Sequence, residues 1–274
     1  MEMGNKIVPI REFIPYTVED LTVIIPHVSW HPNRAKWFFP QYIRSVPPEV
    51  VKNTIVMYDG DNATALQLQE LGLRGVAVKE VDWSTVKMKK GFELAKTRLC
   101  VRIHNDTYFL RDDWVQSLIK QFNDEQSPQI IGYFHPSGNT NKEMIDNILK
   151  CVPSFKDTYN NLEFDGDRIG VPFIGAFFTA AQTYVYKTIY PIVMEINENR
   201  MDKEDCLLTI VSSLYNIKII GWENIMEFTM VVGKPGDFDE EIMQTLPTQL
   251  IKIDDSNRNN YPEAKFKRQI LVDF

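Results

Sequence analysis

The chain reads as an α/β fold with a mostly parallel, Rossmann-like sheet flanked by helices, on three observations. Short apolar, β-branched runs recur at LTVIIP (21–26), NTIVMYDGDN (53–62), GVAVKEV (75–81) and RLCVRIHND (98–106). Segments with helical spacing separate them, and polar residues close three of the runs. Strands alternating with helices over the first 125 residues imply right-handed crossovers and parallel pairing.

The first strand is closed by Pro26, and Trp37, Tyr42 and Val46 in the next segment recur near helical spacing. The second strand ends in Asp59 and Gly60. ATALQLQELGL then predicts a short helix that Gly72 or Gly75 can stop. Ser84 can cap a helix through TVKMKKGFELAKT, which leads into the fourth strand. RDDWVQSLIKQFND opens with two acids, favourable near a helix N-terminus, and Trp114, Leu118 and Phe122 repeat every four residues. Further on, QIIGYF, GVPFIGAFFTAA and IKIIGW read as strands, and AQTYVYKTIYPIV and MDKEDCLLTIVSSLYN as helices. Residues 1–233 are expected to form one domain. Residues 234–274, turn-rich and polar, are expected to be a C-terminal extension, partly disordered.

The chain has 274 residues, 44% of them hydrophobic, enough for a sizeable core. A net charge of −7 weighs against a generally basic nucleic-acid binder. Cys100, Cys151 and Cys206 lack CxxC spacing, so neither a disulfide framework nor a zinc knuckle is suggested. No apolar run has the length of a signal peptide or a membrane span, and a cytoplasmic protein is expected.

Ligands of parallel α/β sheets bind beyond the carboxyl ends of the strands. His27, Asp59 and the stretch His104-Asn105-Asp106 should gather there. An acid at such an end can hold a hard cation against a diphosphate, or Asp106 and Thr107 can simply shape a turn. His27 and His31, around Trp30, lie in a loop suited to binding or to plain exposure. Lys87, Lys89 and Lys90 could face an anion, although a solvated helix face is the default reading. Trp37, Phe38 and Phe39 read as core.

The order LTVIIP, IVMYDGDN, GFELAKTRLCVRIHNDTYFLRDDWVQSL, FIGAFF and MDKEDCLLTIVSSLYNIKIIG resembles the GT-A fold glycosyltransferases, most closely the family 2 type, over roughly residues 20 to 230. The resemblance implies transfer of a sugar from a nucleotide-sugar donor, a UDP-sugar above all, to an acceptor hydroxyl with inversion. It implies that His27 lies beside the nucleotide, that Asp59 reads the base, and that Asn105 and Asp106 match the last two positions of a DxD motif. His104 replaces the first acid, so the implied Mn2+ or Mg2+ would rest on Asp106 and His104. All four histidines precede residue 136, so the late histidine ligand of many GT-A enzymes is missing.

Glu204-Asp205 matches the family's later acidic pair, with Asp205 the first choice and Glu204 the second for the base that deprotonates the acceptor. Without the resemblance, the same pair reads as an acidic helix start. The acceptor could be a glycan, a small molecule or a hydroxymethylated DNA base. Two other classes compete. A nucleotidyltransferase would carry a Gly-rich loop after its first strand, which HVSWHPNR lacks. A non-catalytic nucleotide-sugar or glycan binding module would keep the fold without turnover.

Overall fold

The computed structural model describes residues 13–27, 32–78, 84–105, 107–109, 112–197, 204–222, 229–231 and 266–268. In chain order the elements are β1 (Leu21–Pro26), α1 (Pro32–Ser45), α2 (Pro48–Lys52), β2 (Thr54–Tyr58), α3 (Asn62–Glu70), β3 (Arg74–Ala77), α4 (Ser84–Leu94), β4 (Leu99–Ile103), β5 (Thr107–Phe109) and α5 (Trp114–Asp124). There follow β6 (Gln129–Asn141), α6 (Lys142–Cys151), α7 (Lys156–Asn160), β7 (Arg168–Gln182), α8 (Thr183–Ile196), α9 (Glu204–Leu214), β8 (Lys218–Trp222), β9 (Thr229–Val231) and β10 (Phe266–Arg268).

Eight strands form one sheet in the order β10-β8-β6-β7-β4-β1-β2-β3, and β5 pairs with β9 in a small second sheet. β3, β2, β1 and β4 are parallel neighbours, and β6 runs parallel to β8. β7 is antiparallel to both β4 and β6, and β10 is antiparallel to β8. The expected mostly parallel sheet is therefore present, with two reversed strands that apolar patterning alone did not distinguish. β10 lies within the segment expected as a C-terminal extension, where it adds the eighth strand; 234–265 lie outside the described residues.

β1 and β4 are buried along their whole lengths because helices cover both faces. On one face Val23, Ile25, Val101 and Ile103 pack with Phe39 and Tyr42 of α1, Leu68 of α3 and Trp114 and Phe122 of α5. On the other, Ile24, Met57 and Cys100 pack with Met88 and Phe92 of α4, Ile145 of α6, Tyr186 and Tyr190 of α8 and Leu207 of α9. Alternation along each strand assigns its neighbours to opposite cores. Phe38 and Phe39 are core, as read from the sequence.

Two glycines set local geometry. Gly72, just past the end of α3, takes φ +68, the left-handed conformation that closes many helices. Gly91 brings α4 against β1 so closely that an added Cβ would lie 2.5 Å from Ile24 Cγ2. We predict that Gly91→Ala destabilises the protein in urea unfolding by about 2 kcal/mol through overpacking, outweighing a helix-propensity gain of about 1 kcal/mol. Equal or greater stability would show that α4 can move off β1.

Candidate active site

The parallel strands reverse direction of travel at β1: the chain moves outward through β2 and β3, then returns to β4 on the other flank. That order puts a topological switch point between the carboxyl ends of β1 and β4, the place where ligands of such sheets bind. His27 continues β1 by one residue, its backbone N–H donating to the Met57 carbonyl at 2.8 Å. Its ring is buried and bridges the two strand ends, with Nδ1 2.7 Å from Asn105 Nδ2 at the end of β4. An amide NH2 can only donate, so Nδ1 accepts and Nε2 carries the proton of the neutral ring. Nε2 faces Thr64 in the first turn of α3, where Asp61 accepts from the Thr64 backbone N–H at 2.7 Å.

Asp59 closes β2 with its side chain 28% exposed, so the carboxylate is partly reachable from solvent. Lys87 reaches it from α4: its Nζ donates to Asp59 Oδ1 and, at 2.8 Å, to the His27 carbonyl. The Lys87 side chain is wholly buried, which overturns its reading as part of a solvated face. It stands one turn before Gly91, on the stripe that meets β1, whereas Lys89 and Lys90 are exposed as expected. An ammonium taken out of water needs a charged partner and well-aimed acceptors. Asp59 and the His27 carbonyl supply both, and the ends of β1 and β2 are tied together.

The second pair lies under β4. Arg102 is 1% exposed in mid-strand, on the face that meets α8 and α9. Its Nη1 donates to Glu204 Oε1 at 2.5 Å and its Nη2 to Glu204 Oε2 at 3.1 Å. Nη2 also lies 2.9 Å from His104 Nε2, and the Tyr190 hydroxyl donates to Glu204 Oε1. Burial on its own would lower the Arg102 pKa, but the carboxylate of Glu204 more than offsets it and holds the guanidinium charged. Burial, then the same carboxylate, pushes the Tyr190 phenol well above its ordinary value.

These contacts differ between neighbours in the sequence. Glu204 is 3% exposed with both oxygens engaged, whereas Asp205 is half-buried. His104 Nε2 faces the Arg102 guanidinium, which can only donate. Among the described residues no three His, Cys, Asp or Glu side chains form a cluster that could hold a metal. Asp106 and His31 lie outside the described residues.

Thus the structure brings His27, Asp59, His104 and Asn105 to one sheet edge and sets the first turn of α9, with Glu204, against Arg102 of the neighbouring strand. The sequence reading missed Arg102, Tyr190 and the inward turn of Lys87. Arg102 had a signal, since a charge inside an apolar strand needs a partner.

No family model matches the chain, and no curated protein matches it. Among solved structures it is similar to a CMP:2-keto-3-deoxy-manno-octonic acid synthetase complexed with CTP, at 11% identity over 82% of this chain and 96% of that one, with a TM-score of 0.48. It is also similar to glucosyl-3-phosphoglycerate synthase from Mycobacterium tuberculosis with Mn2+, UDP-glucose and phosphoglyceric acid, at 14% identity over 74% and 72% of the two chains, TM-score 0.43. A third likeness is to a mannosyltransferase from Pyrobaculum calidifontis with GDP-mannose and Mn2+, at 10% identity over 65% of this chain and 51% of that one, TM-score 0.42.

Removing one partner of the buried pair strands the other charge. Arg102→Met should cost about 3–5 kcal/mol in denaturant unfolding, and Arg102→Met with Glu204→Met should recover most of it. A single variant as stable as wild type would contradict the pairing.

Proposed function

We propose that this chain is a glycosyltransferase that moves a sugar from a nucleotide-sugar donor, a UDP-sugar, to an acceptor hydroxyl with inversion. The observation that carries the reading is the polar cluster at the switch point: His27 and Asn105 face each other across the carboxyl ends of β1 and β4, beside Asp59. In this reading the donor lies across that edge. Asp59, oriented by Lys87, accepts hydrogen bonds from the base. His27 and Asn105 form the buried floor under the nucleotide.

Asp106, the next residue after Asn105, anchors the diphosphate directly or with Mn2+ or Mg2+. Such a cation, held by Asp106, the diphosphate and water, would supply charge neutralisation for the leaving group. Asp205 is the base, since Glu204 is closed off by Arg102 and Tyr190. As the acceptor oxygen bonds to the anomeric carbon, its proton passes to Asp205. The bond from that carbon to the phosphate oxygen breaks, and its electron pair leaves with the nucleoside diphosphate. Fixing both substrates at one edge supplies further rate by proximity. The acceptor is the hydroxyl of a glycan or a small molecule; a net charge of −7 disfavours duplex DNA with a modified base.

The test is a thermal shift panel of UDP, UDP-glucose, GDP-mannose and CTP, with and without Mn2+, followed by donor turnover. At a hundred times Kd the matching nucleotide should raise Tm by roughly 5–10 °C. Asp106→Ala should weaken that shift. Asp205→Asn should keep it while lowering turnover by about 10²–10⁴-fold. No shift with any nucleotide would overturn the reading; a shift with no turnover would favour a binding module.

A further inference from the structure

We infer that Arg102 is a positioning residue for Asp205: its buried guanidinium clamps the first turn of α9 against β4 and so fixes where the carboxylate stands. The inference rests on the reading of Asp205 as the base.

Three observations converge on that turn. The Arg102 fork grips both oxygens of Glu204, the residue immediately before Asp205, and Tyr190 of α8 donates to the same carboxylate. On the far side, the Asp205 carbonyl accepts from Thr209 Oγ1 at 2.9 Å, and Thr209 Oγ1 accepts from the Ile174 backbone N–H of β7 at 3.1 Å. The turn is therefore held by β4, α8 and β7 together. The guanidinium that grips Glu204 also touches His104, just past the end of β4, so the end of that strand and the start of α9 share one anchor.

The arrangement is poorly explained by stability alone. Apolar pairs of similar volume often hold such elements about as well as a buried ion pair does. Arg102 Nε is buried with no acceptor among the described residues, so the fork is aimed at Glu204 and His104 at the expense of its own third donor site. A buried ion pair kept on such terms, one residue from a proposed base, fits a demand for fixed geometry, because a base displaced by about 1 Å can lose on the order of 10²-fold in rate.

Three variants read the inference. Arg102→Lys keeps the charge and loses the planar fork. Glu204→Asp keeps the pair and shortens its reach. Tyr190→Phe removes one hydrogen bond and leaves the ion pair, so it stays folded if the others do not. Each is measured for Tm, for kcat and donor KM at a temperature where it is folded, and for amide hydrogen exchange of 204–209.

The expected result is a fall in kcat, up to about 10²-fold in Arg102→Lys and least in Tyr190→Phe. Donor KM should stay within about twofold, and exchange in 204–209 should quicken in the same order. Folded variants with wild-type kcat, or KM rising in step with the loss of kcat, would overturn the inference. The Asp205→Asn variant separates the two failures: if it is as active as wild type, the base assignment itself falls, and this inference with it. If it is inactive while the three folded variants turn over normally, only the clamp falls.

Discussion

A sheet covered by helices on both faces leaves no place in mid-strand for an unpartnered charge. β1 and β4 are buried from end to end, so polar side chains can emerge only where the strands stop, or must take a partner into the core with them. Both solutions occur here. His27, Asp59 and Asn105 sit at the carboxyl ends, and the order β3-β2-β1-β4 brings those ends together. Arg102 stays in mid-strand and takes Glu204 with it.

The two buried cations among the described residues, Lys87 and Arg102, come from the same side of the sheet. Lys87 from α4 and Arg102 from β4 both lie in the layer shared with α8 and α9, and each holds one acid: Asp59 at the end of β2, Glu204 at the start of α9. Fixed charges in a desolvated layer cost folding free energy, and they need no rearrangement when a charged substrate arrives. In the proposed chemistry one cation orients the group that reads the base and the other sets the turn that carries the proton acceptor.

Much of this was legible in the sequence, and the limits have physical causes. Period and apolar composition located β1, β2, β4, α5 and α9, because burial on both faces writes itself into runs such as LTVIIP. Polar residues at strand ends foretold which side chains would share an edge, since parallel strands end together. Pairing across the sheet was not legible. The reversed β7 has the same apolar pattern as a parallel strand, and β10 takes its place through contacts with β8, far away in sequence. α6 packs Met144, Ile145 and Ile148 inward, a helix left unassigned from the sequence. Lys87 looked solvated beside Lys89 and Lys90 because composition does not record helix phase. Within the acidic pair, Glu204 and Asp205 differ only in which one faces Arg102, a matter that three-dimensional contacts decide.

The most direct measurement is a crystal structure of the full chain grown with UDP and Mn2+. The account predicts the nucleotide at the switch point beyond β1 and β4, with its base beside Asp59, its diphosphate beside Asp106, and Asp205 facing the space next to the terminal phosphate. A nucleotide bound on another face of the sheet, or a switch point without nucleotide at saturating UDP, would contradict it.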